Sequence, residues 1–292
     1  MSNILSESYM HISEDTKFIR LTTLTSFIHS VVFTAFVVLN LYRLIHKIQP
    51  SLVSNVDIGK LLIEFSNAIP AGYYIIIGLI LFIWYLLLPP VWDASIIHYL
   101  HMSKKSWSGA LAKGIFKFFP MFEYNSMTTF FQMSMFLIVV GRLFTMDILN
   151  NAMILAILTI RFISVFGVSL FLGFTKFFIV LEWQWPIQAS KSSLALSIEH
   201  IMTVLRFVII NYILDLRFVI NLLLLVWFPL AMIYIADRFH ILDSWFFSGG
   251  MYTMFGILFI LVSYINGIVE AFFTTYRYKL YIQLKSDQEE TK

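Results

Sequence analysis

The sequence predicts an all-α, polytopic membrane protein: a transmembrane helical bundle of about six spans, with interfacial amphipathic helices between some of them. Three observations predict it. Of 292 residues, 59% are hydrophobic and 13% charged, and mean hydropathy is +0.82, whereas soluble domains carry roughly 25% charged residues. Apolar stretches recur at about the 20 residues that a helix needs to cross a bilayer core of about 30 Å. Lysine and arginine gather on alternate connections, as they do on the cytoplasmic side of membrane proteins.

No charge-rich stretch marks a second domain. A single membrane domain is expected over residues 21–281, between a cytoplasmic segment (1–20) and a polar cytoplasmic tail (282–292), of which Ser286–Lys292 is expected to be disordered. The chain has no cysteine, which removes disulfides, thiolate metal sites and cysteine nucleophiles together. A net charge of +3 without a basic, aromatic-interleaved surface argues against nucleic acid as a partner.

Each span has its own justification. Leu21–Tyr42 is uncharged, too long for a cleaved leader and followed by no small-residue cleavage site, so it reads as a signal anchor. Phe65–Trp92 is uncharged and contains Pro70 and the pair Pro89–Pro90. Tyr124–Gly141 is uncharged and ends before Arg142, while Ile148–Thr175 is interrupted only by Arg161. Phe218–Ala236 and Ser244–Val269 are both uncharged. With the N-terminus inside, twelve of the twenty lysines and arginines fall on inner segments and five on outer ones. Both termini are therefore expected in the cytoplasm, with the chain in the plasma or inner membrane.

Two connections need more than a loop. Ile201–Ala236 is nearly all apolar but holds Arg206, Asp215 and Arg217; as one helix its 36 residues would run about 54 Å. A break near Asp215 is expected, with Ile201–Leu214 lying at the interface or dipping into the membrane. Ser103–Glu123 carries four lysines among Trp, Phe and Ile. It reads as an interfacial amphipathic helix, or as a connector resting on the headgroups.

The most patterned stretch is 178–193, Phe-Ile-Val-Leu-Glu-Trp-Gln-Trp-Pro-Ile-Gln-Ala-Ser-Lys-Ser-Ser. Pro186 suits the first turn of a helix, where its missing N–H is not needed. Glu182 would lie near the positive end of that helix. Ala189 and Ser193 form a small-xxx-small pair that admits a close neighbour, and Trp183 and Trp185 suit the aromatic belt. Trp107, Ala110 and Gly114 repeat the spacing of Pro186, Ala189 and Ser193, an echo of a parallel repeat.

Phe178, Val180, Glu182, Pro186, Ala189, Ser193 and Leu194 together resemble a pattern in a bacterial polytopic family. That family comprises the membrane domain fused to some glycerophosphodiester phosphodiesterases and its stand-alone relatives of unknown function. The segment Thr275-Tyr276-Arg277-Tyr278-Lys279-Leu280 resembles the Tyr-rich, basic end of the family's last span, and the expected topology agrees. Relatives commonly place glycine in the turn that here holds Trp183 and Trp185. These residues include no phosphodiesterase domain, so the resemblance implies an architecture and no catalytic chemistry.

Polar residues within spans are the remaining candidates. Arg161, Asp215, Arg217 and Glu270 join Glu182 as functional polar residues. Arg161 could hold an anion or simply pair with a carboxylate. Glu182, Glu270, Lys176 and Arg277 would form a polar vestibule if they converged. His98 and His101 stand three apart near Asp93, the best metal-like cluster, yet no HExxH and no characteristic third ligand accompany them. No nucleophile elbow or phosphate-binding glycine loop is present. The expected function is thus non-catalytic and cofactor-free: an accessory or interaction module for lipid, envelope or a membrane partner, including a second copy of itself. The alternative is a small transporter or permease subunit built on Arg161 and the broken fifth span.

Overall fold

The structure, a computed structural model, describes residues 4, 6–10, 15–20, 22–23, 26, 87–102, 106–131, 136, 139–140, 143, 151–215 and 245–290. Among the described residues it is all-helical and contains no strand. The chain divides into two compact units, Met1–Leu41 with Arg206–Lys279, and Tyr42–Leu205 with Leu280–Lys292.

The second unit opens with α1 (87–101) and α2 (Trp107–Phe116). Helix α2 starts where Ser106 accepts a hydrogen bond from the Gly109 N–H, a side-chain N-cap. It stops at Lys117, whose backbone (φ −93°, ψ 5°) separates it from α3 (Phe118–Thr128) and a 3₁₀ turn at Thr129–Phe131. The stretch expected as one amphipathic element is therefore two helices meeting at Lys117. Helix α4 (Ala152–Phe171) is capped by Asn151, which accepts from Met153 N–H at 2.9 Å. After a short break the chain resumes as α5 (Thr175–Leu181), turns, and enters α6 (Pro186–Glu199) with Pro186 in its first turn. Helix α6 packs on α3, α4 and α5.

Helix α7 (Ile201–Asp215) follows at once, and the axis turns by 104° between Pro186–Glu199 and Ile201–Ile213. The bend therefore sits at His200, where φ −116° and ψ 35° leave the helical region. Helix α7 runs as far as Asp215, and the stretch after it, where the break near Asp215 is expected, lies outside the described residues. The bend coincides with a change of composition: α6 carries Ser190, Ser192, Ser193, Ser197 and Glu199, whereas α7 is mostly aliphatic.

Helix α8 (Trp245–Glu290) has 46 residues, or about 69 Å, more than twice a bilayer core. It corrects the expected disordered tail, because the helix continues through Ser286 to Glu290. Tyr281 and Leu284 are buried there and Lys285 is half-buried, a helical stripe that gives the tail a packed face. Within the first unit, α8 passes close to the N-terminal segment. A Cβ on Gly267 would stand 2.8 Å from the Thr23 backbone nitrogen, and Lys279 reaches Glu7 at 3.3 Å.

Among the described residues, two stretches are long and apolar enough to cross a membrane: Ala152–Leu181 and Gly256–Glu290. The bent pair makes a third if it counts as one span. The first two overlap the expected fourth span, Ile148–Thr175, and the second half of the expected sixth, Ser244–Val269. Most of Leu21–Tyr42 and Phe65–Trp92, part of Tyr124–Gly141 and all of Phe218–Ala236 lie outside the described residues.

Candidate functional site

Glu182 ends α5 and begins a tight turn. The Phe178 carbonyl accepts from both the Glu182 N–H (3.2 Å) and the Gln184 N–H (3.3 Å), which folds the chain back on the helix end. Trp183, between them, takes φ 60°, a left-handed conformation that glycine adopts freely and other residues at a cost of roughly 1–2 kcal/mol.

The turn aims the Glu182 carboxylate at α8. Its Oε1 accepts from the Tyr281 hydroxyl and from Lys285 Nζ, both at 2.5 Å. Its Oε2 accepts from Gln184 Nε2 at 3.3 Å, and Gln184 Oε1 in turn accepts from the Ser192 hydroxyl at 2.9 Å. Tyr281 and Lys285 are four apart, so one helical face presents both donors. The Tyr281 ring stacks on Phe177 at 5.2 Å and meets Phe178 edge-on at 5.2 Å. The carboxylate is thus bound at both oxygens and clamps α8 to the α5–α6 turn. Its engagement is with these side chains rather than the start of α6. Charge-assisted hydrogen bonds of this kind are roughly twice as strong as neutral ones.

Ser193 does more than keep α6 slim. Its hydroxyl donates to the Phe171 carbonyl at 2.8 Å and accepts from the Phe174 N–H at 3.3 Å. Those are backbone groups at the break between α4 and α5, so Ser193 satisfies what the break leaves open. Ser197 adds a longer contact to Phe171 at 3.4 Å. Ala189 and Ser193 are fully buried, as are Ala110 and Gly114 in α2.

The other candidates are dispersed. Asp93 pairs with Lys176 at 2.5 Å, so its carboxylate is spent on a lysine. His98 is buried, and that burial, with Lys113, Lys117 and His101 adding to it, pushes its pKa down to about 4. A neutral imidazole results. Among the described residues no three His, Asp or Glu gather as metal ligands. Arg161 finds no carboxylate there either: its Nη2 donates to the Phe130 carbonyl at 3.1 Å and its Cζ stands 4.0 Å above the Phe130 ring. Glu270 and Arg277 line a small cleft of about 180 Å³ with Asn211, Phe273 and Thr274. Arg277 reaches Asn211 at 3.3 Å. Within their own unit, Glu182 pairs with Lys285 and Lys176 with Asp93. Asp215 closes α7, and Arg217 lies outside the described residues.

Sequence reasoning missed Tyr281 and Lys285 as the partners of Glu182, and Lys176 as that of Asp93. A signal for the first pair was present: an i, i+4 tyrosine and lysine on a helical stripe shared with Leu284. Nothing local points from there to Glu182. The sequence matches no family model and no curated protein, and the fold matches no solved structure.

Proposed function

We propose that this chain is a non-catalytic, multi-pass membrane protein that acts as an accessory or interaction module in lipid or envelope organisation. The apolar stretches support six spans, and the distribution of lysine and arginine supports cytoplasmic termini. The observation that carries the reading is the state of Glu182. Its two oxygens are taken by Tyr281, Lys285 and Gln184, an arrangement that holds helices together. Arg161 supports the same reading, because it rests on the Phe130 ring and carbonyl. Kinship with the phosphodiesterase-linked membrane domain is part of the proposal. Trp183 supports it, for its left-handed backbone lies in the turn where relatives commonly carry glycine.

Affinity purification in mild detergent, followed by mass spectrometry of bound proteins and lipids, tests the reading. A stoichiometric protein partner, or a second copy, with no bound solute is expected. Solute uptake by the purified chain in liposomes would overturn it in favour of a transporter.

A further inference from the structure

Lys117 is unused by the clamp and oddly placed. It caps α2 where the chain turns into α3, and the residue is only 4% exposed. It meets no carboxylate among the described residues; its Nζ instead stands 3.3 Å from the centre of the Trp183 ring. Burying an ammonium against a ring face leaves most of its desolvation uncompensated. In the parallel crossing of α6, the position 79 residues later (117 + 79 = 196) is Leu196, which is fully buried. A lysine at such a position calls for an anion.

The surroundings say which kind. Lys113, one turn earlier, is exposed. Phe116 and Phe119 stand 78% and 75% exposed beside the lysines, and Ile115 is exposed with them. Trp183, whose ring lies against Lys117, and its near neighbour Trp185 are 67% and 66% exposed at the entrance to α6. Cationic groups ringed by exposed aromatic and aliphatic side chains suit a charged headgroup with acyl chains beneath it. A small soluble anion would have no use for that apolar rim.

We propose that Lys117 and Lys113, flanked by Phe116, Phe119, Trp183 and Trp185, bind the phosphate of an anionic phospholipid at the membrane surface. The phosphate oxygens accept from the two ammonium groups, and the aromatic rim sits among the upper acyl chains. The inference rests on the membrane reading above and adds a headgroup preference to it.

The full chain, delipidated in mild detergent, is titrated with phosphatidylglycerol and separately with phosphatidylcholine while thermal unfolding is followed. Phosphatidylglycerol at saturation is expected to raise the midpoint by roughly 5 °C and phosphatidylcholine to leave it unmoved. Lys117→Gln should lose most of that rise, and Lys117→Arg should keep it. Equal rises with both lipids, or a full rise in a normally helical Lys117→Gln, would overturn the proposal. Should Lys117→Gln fail to fold, native mass spectrometry of the wild type decides, with equal retention of both lipids as the overturning result. Alkaline extraction of native membranes separates the two levels. Release into the soluble fraction sinks the membrane reading itself, whereas retention without headgroup preference sinks this inference alone.

Discussion

Helix α2 begins at Trp107 and buries Ala110 and Gly114, whereas α6 begins at Pro186 and buries Ala189 and Ser193. The two sets stand at one constant separation of 79 residues (186 − 107, 189 − 110, 193 − 114). Each helix crosses an earlier segment at its last matched position, Gly114 against Val91 and Ser95, Ser193 against Phe171 and Phe174. The difference lies in what is crossed. Helix α1 runs unbroken through 91–95, and its Val91 carbonyl already accepts from the Ser95 hydroxyl at 2.6 Å. That crossing requires room, and a Cβ on Gly114 would stand 2.7 Å from the Val91 carbonyl oxygen. The other crossing falls where α4 has stopped and α5 has not begun, so it requires hydrogen-bonding atoms, and Ser193 supplies them. One spacing thus serves two physical needs, space in one place and polarity in the other.

The comparison can be broken most directly at Gly114. Gly114→Val drives a side chain into backbone and should destabilise by about 3 kcal/mol, read as a lowered unfolding midpoint in detergent. Gly167→Ala serves as control, since nothing lies within 4 Å of a Cβ there. An unmoved midpoint in Gly114→Val would mean that close approach is not what the glycine provides.

The clamp belongs to the second crossing only, where Glu182 ties the turn to α8. Glu182→Gln removes the charge that Lys285 and Tyr281 share and should cost about 1.5–3 kcal/mol. Lys285→Met should cost a similar amount, and the double variant little more than either alone; strict additivity would show that the two residues act separately.

Ser193→Ala leaves the Phe174 N–H without its partner, and about 1–2 kcal/mol is expected. The loss is limited because Ser197 still reaches Phe171. Ser193→Gly should do no better than alanine, in contrast to the first crossing, where glycine is required.

Lys117 gives the comparison a pH axis. Burial lowers its pKa from 10.5 to about 8, so between those values the unfolded chain binds more protons than the folded one. Stability from this group therefore rises as pH increases from about 8 to 10.5 and is flat below that window. Unfolding midpoints measured across the window should show the rise in wild type and lose it in Lys117→Met, whose side chain resembles the Leu196 of the other crossing.

Trp183→Gly should have the smallest effect. Relief of the left-handed backbone is worth roughly 1 kcal/mol, and loss of the Lys117 contact offsets about 0.5–1 kcal/mol of it. A large loss of stability would show that the indole, rather than the turn, holds the site.

Much of this fold was legible in the sequence, and particular residues show why. The start of α6 at Pro186, the burial of Ala189 and Ser193 and the apolar run through Arg161 are all local patterns read correctly from spacing. The continuation of α8 to Glu290 was equally local, written in Tyr281, Leu284 and Lys285, but a polar composition masked it. The bend at His200 has no proline to mark it, only the change from a serine-rich helix to an aliphatic one. The partners of Glu182 were out of reach, since Tyr281 and Lys285 lie 99 and 103 residues away.

The sequence by itself determined where the helices are apolar, where several of them begin and which faces carry small residues. Those properties follow from hydrophobic burial and backbone capping, which act over a few residues and need no particular partner. The tertiary structure alone decided that Glu182 is a clamp, that Asp93 belongs to Lys176, that Arg161 rests on Phe130 and that Ser193 mends a broken helix. Hydrogen bonds and ion pairs require atoms within about 3 Å at defined angles. Only the folded chain brings such distant residues that close.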